Sequence, residues 1–416
     1  MGWIEAVCAR GVRRPGYEAD RWSEGFIAER FESFGLADVH LEPVLLPRWE
    51  PTSWSLSVDG VIHDCFPLPH TAPGTVEGTL GDDIALETVT LNSWPQSFVR
   101  ERLALRTIDP DGDFDTLHQT LPFGRQLQAV MEPSIDAGAK AFVGIFDAPW
   151  ESCEYYVPYD GEVRPIPGVW VSKSTGAQLR AGQHATLRVE STREDVTCHN
   201  VVGTLPGDSD GYVIVGSHHD GPWVSAVEDA SGIALVLAQA KYWAAQPSRP
   251  HNMLFVVQAG HMVHGAGCRA FIDAHRDLMD RVVLEVHLEH TAKESHGENG
   301  NLVTGDKPET AWWFVTRNDD LIDAVEDALN GEGVTRSFIL PPDVFGEWPT
   351  TDGGFYHTVG VPLVNFLAAP MYLFDAQDTV DKVHAPSLEP VSRAAIRIIE
   401  WTRGRSPADL RTLSAP

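Results

Sequence analysis

Apolar residues at Trp22, Phe26, Ile27 and Phe31 recur at the spacing of one helix face, and Gly35 follows as a stop, which predicts a helix over residues 19–34. Residues 39–44 alternate like a half-buried strand. Two later stretches, 213–216 and 253–257, are continuously apolar and predict strands covered on both faces. Residues 284–289 alternate instead, which puts Glu285, His287 and Glu289 on one face of a strand. Residues 200–205 read as a strand that turns at Pro206-Gly207 and pairs with 213–216. Strand and helix signals alternate from residue 198 to the end. The expected fold class is therefore α/β, a mostly parallel central sheet flanked by helices. His218, His261 and Glu289 all follow strand-like runs, and groups beyond the carboxyl ends of parallel strands share one crevice.

Between residues 52 and 193 the pattern changes to short strand-like runs broken by turn residues, with one helical segment at 124–137. Strands are expected near residues 139–145 and 166–172. This predicts a main domain made of residues 1–52 and 194–416, interrupted by an α+β subdomain at 53–193.

Composition changes the picture modestly. A chain of 416 residues, 43% apolar and 22% charged, suits a soluble protein with one large domain and a smaller one. The formal charge of −28 argues against nucleic acid or an anionic membrane as partner. No apolar run approaches a membrane span. Met1-Gly2-Trp3-Ile4-Glu5 lacks the basic region and apolar core of a signal peptide, so a cytoplasmic location is expected. Cys8, Cys65, Cys153, Cys198 and Cys268 form no CxxC pair and are odd in number, which predicts free thiols in a reducing compartment.

The chemistry-bearing segments come in a defined order. They are His218-His219-Asp220, then Glu228-Asp229-Ala230-Ser231-Gly232, Gly260-His261-Met262, Glu289-His290, Thr351-Asp352-Gly353 and Asp375-Ala376-Gln377-Asp378-Thr379. Together they resemble the active-site framework of the zinc aminopeptidases, whose relatives include glutaminyl cyclases and the transferrin receptor ectodomain. The subdomain at 53–193 resembles the protease-associated domain inserted in that family, which implies a wall or lid. The resemblance implies that His218 is a metal ligand and that Asp220 supports it from behind, fixing the tautomer of its imidazole. It places Glu228 where the family has a bridging aspartate and Glu289 on a further aspartate ligand. His287 and His290 are neighbours of that position, and His219 lies between the first two.

Two positions depart from the family. Met262 stands where a second metal would find a carboxylate, and Phe374 where it would find a histidine. One divalent ion per chain is therefore expected, held by His218, Glu228 and Glu289 with water; zinc, manganese and iron all suit that donor set. His261 replaces the glutamate that serves as general base, and an imidazole can shuttle protons near neutral pH. His261 and Asp220 are thus the catalytic candidates. Gly353 replaces a histidine of the family's Ser-Asp-His segment, and Phe355, Tyr356 and Phe374 are expected to line an aromatic substrate site, with Trp223 and Trp348 nearby.

This edited pattern resembles the 5-nitroanthranilate aminohydrolases. The resemblance implies a one-metal hydrolase of nitroaromatic catabolism that replaces the amino group of a small aromatic amine with hydroxyl and releases ammonia. Two other classes stand beside it. One is an amidase or deacylase on small C–N substrates with His261 as base, and the other is a non-catalytic scaffold, as in the transferrin receptor ectodomain. Nothing in the pattern excludes a homo-oligomer.

Overall fold

Four parallel strands, Asn252–Gln258, Tyr212–His218, Val282–Leu288 and Leu363–Ala368, lie side by side in the middle of an 11-stranded sheet. This computed structural model describes residues 1–90, 93–94, 96–109, 117–118, 123–346 and 351–411. Asn252–Gln258 and Tyr212–His218 are largely apolar on both faces because both faces are covered. Val213 and Val215 pack into one core with Ile27, Phe31 and Leu235, and Ile214 packs into another with Cys268, Phe271 and Ile272. The helices Glu18–Phe34, Gly232–Ala244 and Ala385–Trp401 contribute to the first core, and Ala266–Ala274 to the second. Gly35 ends the first of these helices in the left-handed conformation, at φ 87°, as its position in the sequence predicts.

Most flank pairs are antiparallel, with Ala311–Val315 and Ser337–Leu340 a parallel exception, so the expectation of a mostly parallel sheet holds best for the centre. Ala37–Val58 and His184–Leu205 pair from Ala37↔Thr204 to Val58↔Ala185. A chain that leaves for a subdomain on one strand and returns on the next comes back in the opposite direction, which makes this ribbon antiparallel. The predicted pairing of 200–205 with 213–216 is also corrected. Asn252–Gln258 lies between them, antiparallel to the former and parallel to the latter. Residues 206–211 carry the chain past that place, and Asn252 Oδ1 takes the Gly207 N–H at 3.0 Å.

The subdomain has its own four-stranded sheet, ordered Phe66–Pro67, Gly168–Ser172, Ala141–Asp147, Ile84–Thr90. Leu56, Val58, Ile84, Val143, Val169, Val171, Leu187 and Val189 form a core there separate from that of the main domain. The helix Phe123–Asp136 falls where its pattern predicts. One piece of residues 53–193 joins the main sheet. Arg106–Ile108 pairs with Ser337–Leu340 at the edge of the main sheet, and Val99 packs with Trp312, Phe314 and Phe338. Buried apolar surface decides this, since the outer face of that sheet needs cover. All five cysteines are free. Among the described residues no helix is long and apolar enough to cross a membrane.

Candidate metal centre

His218 closes the Tyr212–His218 strand, Glu289 and His290 follow Val282–Leu288, and His261 lies three residues beyond Asn252–Gln258. These strand ends are neighbours in the sheet, so side chains far apart in sequence converge at one edge. Glu228 arrives from the loop before the Gly232–Ala244 helix, where its backbone is held from two sides. Asp378 accepts the N–H groups of Val227 and Glu228, each at 2.9 Å. The fully buried Arg13 donates to the carbonyls of His219 at 3.1 Å, Ser225 at 2.7 Å and Glu228 at 3.4 Å.

Two donor triads result, His218–Glu228–His290 and His218–His261–Glu289, with the atoms of each triad within 4.8 Å of one another. Because they share His218, they form one cluster of five donors. His218 Nε2 lies 3.5 Å from Glu228 Oε1, His261 Nε2 lies 3.4 Å from the same oxygen, and His290 Nε2 lies 2.6 Å from Glu228 Oε2. The rings of His218 and His261 stack at 3.9 Å.

The far side of each imidazole fixes its tautomer. His218 Nδ1 meets the Asp220 carbonyl and His290 Nδ1 the Ala368 carbonyl, both at 2.9 Å. A carbonyl only accepts, so both rings carry hydrogen on Nδ1 and turn Nε2 toward the cluster. His261 Nδ1 lies 3.1 Å from Asp352 Oδ1, and its side chain, 14% exposed, is the most open of the five.

The cluster fits a cation. Both carboxylate oxygens of Glu228 and of Glu289, and Nε2 of His218 and His290, are buried and make no aligned hydrogen bond, the 2.6 Å approach of His290 to Glu228 included. Orphaned polar atoms are costly in a dry interior, and a divalent ion satisfies them together. Imidazole and carboxylate donors suit zinc, manganese or iron.

The electrostatics have the same origin. Burial, reinforced by the neighbouring His261 and His290, holds His218 well below the usual histidine range, so its Nε2 stays a donor to metal. Burial alone would lower His290, but Glu228 beside it lifts it to about 9. His261 is likewise raised against burial, by Asp352 first and then by Glu228 and Glu289.

Other predicted residues take different places. Asp220 backs His218 through its carbonyl, not its carboxylate. The carboxylate is occupied by the N–H groups of His261 at 2.9 Å and Met262 at 2.8 Å, so it shapes the turn that carries them. His219 turns away and pairs with Asp20 at 2.6 Å. Met262 is fully buried in the main core, and its carbonyl accepts the Tyr159 N–H of the subdomain at 2.9 Å. Phe374 sits against Tyr155, with its carbonyl taken by Tyr156 N–H at 2.9 Å and Trp223 Nε1 at 3.0 Å. Tyr356 is fully buried and its hydroxyl bonds Gln258 Nε2 at 2.9 Å, so it forms floor where a substrate wall was expected. Phe355 is half-buried beside His264. Trp348 lies outside the described residues. The sequence reading passed over the positioning contacts of Asp352, Asp378 and Arg13. Its only signal for His290 was adjacency to Glu289.

Residues 200–399 match the model of Peptidase family M28. No curated protein sequence matches the chain. Solved structures share the fold at low identity. The Peptidase M28 precursor from Shewanella amazonensis SB2B is 16% identical with a TM-score of 0.73, over 100% of this chain and 95% of that one. The zinc aminopeptidase of Bacillus subtilis is 17% identical with a TM-score of 0.67, over 99% and 96%. The aminopeptidase of Aneurinibacillus sp. strain AM-1 is 16% identical with a TM-score of 0.64, over 100% and 95%.

Proposed function

We propose that this chain, whose residues 200–399 belong to peptidase family M28, is a one-metal hydrolase that breaks the C–N bond of an activated aromatic amine of the 5-nitroanthranilate type. The observation that carries this reading is the fate of Met262 and Phe374. Both stand where the resemblance expects ligands for a second ion, and both are buried among apolar side chains. What remains among the described residues is a cluster centred on His218.

His218, Glu228, Glu289 and His290 would hold the ion, and Asp378 and Arg13 fix the backbone that presents Glu228. A divalent metal bound there supplies a water molecule of lowered pKa and a positive charge at the reacting centre. His261 lies at the open side of the cluster with Asp352 behind its Nδ1, the arrangement of an oriented proton carrier. It takes the proton of the attacking water and returns it to the departing nitrogen. A C–O bond forms at the ring carbon, the C–N bond breaks, and ammonia leaves. An electron-withdrawing substituent para to the amine holds the charge meanwhile, so the protein needs fewer groups beside the attacked carbon than an amide would demand.

A second reading, hydrolysis of small amides with the same His261, is favoured by the family match itself. Ammonia release and substrate absorbance with 5-nitroanthranilate, anthranilate and a leucyl anilide separate the two. Turnover of 5-nitroanthranilate alone is expected. Turnover of the anilide alone would restore the peptidase, and a protein inert on all three and free of metal would be a scaffold.

A further inference from the structure

Behind the ligands lies a second buried ionisable pair that this mechanism leaves unused. We infer that Glu285 and His287 form a brace that positions the metal ligand Glu289; the inference rests on the metal-centre reading above. Glu285, His287 and Glu289 alternate along one strand and its continuation, so all three share a face, and all are fully buried. His287 Nδ1 bonds Glu285 Oε1 at 2.8 Å, and its Nε2 lies 3.3 Å from Glu289 Oε1. The imidazole therefore stands between two carboxylates, unlike His218 and His290, whose outer nitrogens face carbonyls.

The surroundings make room for this pair. A Cβ at Gly216, which is in register with His287 on the neighbouring strand, would stand 2.9 Å from His287 Nδ1 and 3.0 Å from Glu285 Oε1. A Cβ at Gly353 would stand 2.8 Å from His287 Cβ and 2.7 Å from Asn365 Oδ1. Any larger residue at either position would crowd the pair. A strand that needed only packing would carry apolar residues at 285 and 287, as it does at Val286 and Leu288. Two ionisable groups at zero exposure are costly unless they serve each other or a third group. Here the third group is Glu289. His287, 3.3 Å from Oε1, lies against the Glu289 carboxylate and limits where it can turn beside the cluster.

The experiment is metal affinity by chelator competition, with full-length protein stripped and reloaded with zinc(II) alone. Thermal midpoints are read in parallel. His287→Leu is expected to weaken affinity roughly 10–100-fold, the usual effect of losing a partner behind a ligand. His287→Gln keeps a side-chain N–H and should recover much of the loss, with Glu285→Gln falling between the two. Gln239→Leu, which removes a buried hydrogen-bonding group bound to Ser392 and Trp243, should lower the midpoint and leave affinity unchanged. A folded His287→Leu with wild-type affinity overturns the brace. So do Leu and Gln variants that lose affinity equally and in step with their midpoints. If His287→Leu does not fold, the Gln and Glu285→Gln variants decide by the same criterion. Wild-type protein that takes up no zinc, manganese or iron overturns the metal centre itself, which separates that failure from failure of the brace.

Discussion

Asp378 accepts the backbone N–H of Glu228 at 2.9 Å, so a residue 150 positions away in sequence sets where a metal-ligand candidate stands. Replacing it by alanine strands two buried N–H groups, those of Val227 and Glu228. Each should cost about 1–3 kcal/mol. The Asp378→Ala protein should show a lower urea midpoint with an unchanged slope, and weaker metal retention. Wild-type values for both would mean that the clamp is idle.

Metal stoichiometry tests the single cluster. Protein purified without added metal and analysed by elemental emission should carry about one divalent ion per chain. His218→Ala, Glu228→Ala and His290→Ala should each lose it. Met262→Leu should keep it at a cost under about 1.5 kcal/mol, because the swap conserves volume in an apolar setting. Loss of an ion from the Met262→Leu protein would make the thioether a ligand, against this reading.

Much of the site was legible because strand ends and helix starts leave clear signals. The apolar runs before His218 and His261 fixed two strands, and the sheet then brought their ends together. Contacts made by backbone atoms were not legible. Whether Asp220 supports His218 by carboxylate or carbonyl depends on which donors surround the carboxylate, and those are the N–H groups of a turn 41 and 42 residues later. The order of strands was also hidden, since 200–205 and 213–216 look like a hairpin until Asn252–Gln258 is seen between them. Arg13 carries no sequence signal at all, because its partners are carbonyls.

The subdomain boundary leads to another expectation. Ile108 and Val99 belong to the main cores although they lie within residues 53–193. Excising the whole stretch would bare the Ser337–Leu340 edge, so the remainder should aggregate instead of folding independently. Ile108→Ala should destabilise the intact protein by about 2–5 kcal/mol, as large-to-small core substitutions do. Chemical denaturation measures this, and a change below about 0.5 kcal/mol would place Ile108 outside the main core.

Acid stability should depend on His70, which joins the subdomain to the site. Its Nε2 lies 3.2 Å from the Tyr156 hydroxyl, and its ring packs at 4.4 Å on Tyr159, whose N–H holds the Met262 carbonyl. Burial, with Arg193 nearby, pushes His70 down to about 3 from an ordinary value of 6.5. The unfolded chain therefore binds a proton that the native state refuses between those two values. Stability from this group is complete above pH 6.5 and falls as pH falls toward 3. At about 1.4 kcal/mol per pH unit, the loss at pH 4 is on the order of 3 kcal/mol. His70→Phe cannot take up that proton, so its unfolding free energy should fall less steeply between pH 6.5 and 4 than that of the wild type. The carboxylates that also titrate in this range are common to both proteins and cancel in the difference. Urea unfolding at pH 7, 6, 5 and 4 supplies the two curves. A stability difference that moves in favour of the variant as pH falls supports a neutral, buried His70. Curves that stay parallel would mean that His70 accepts its proton in the folded protein, and that the joint with Tyr156 and Tyr159 tolerates the charge.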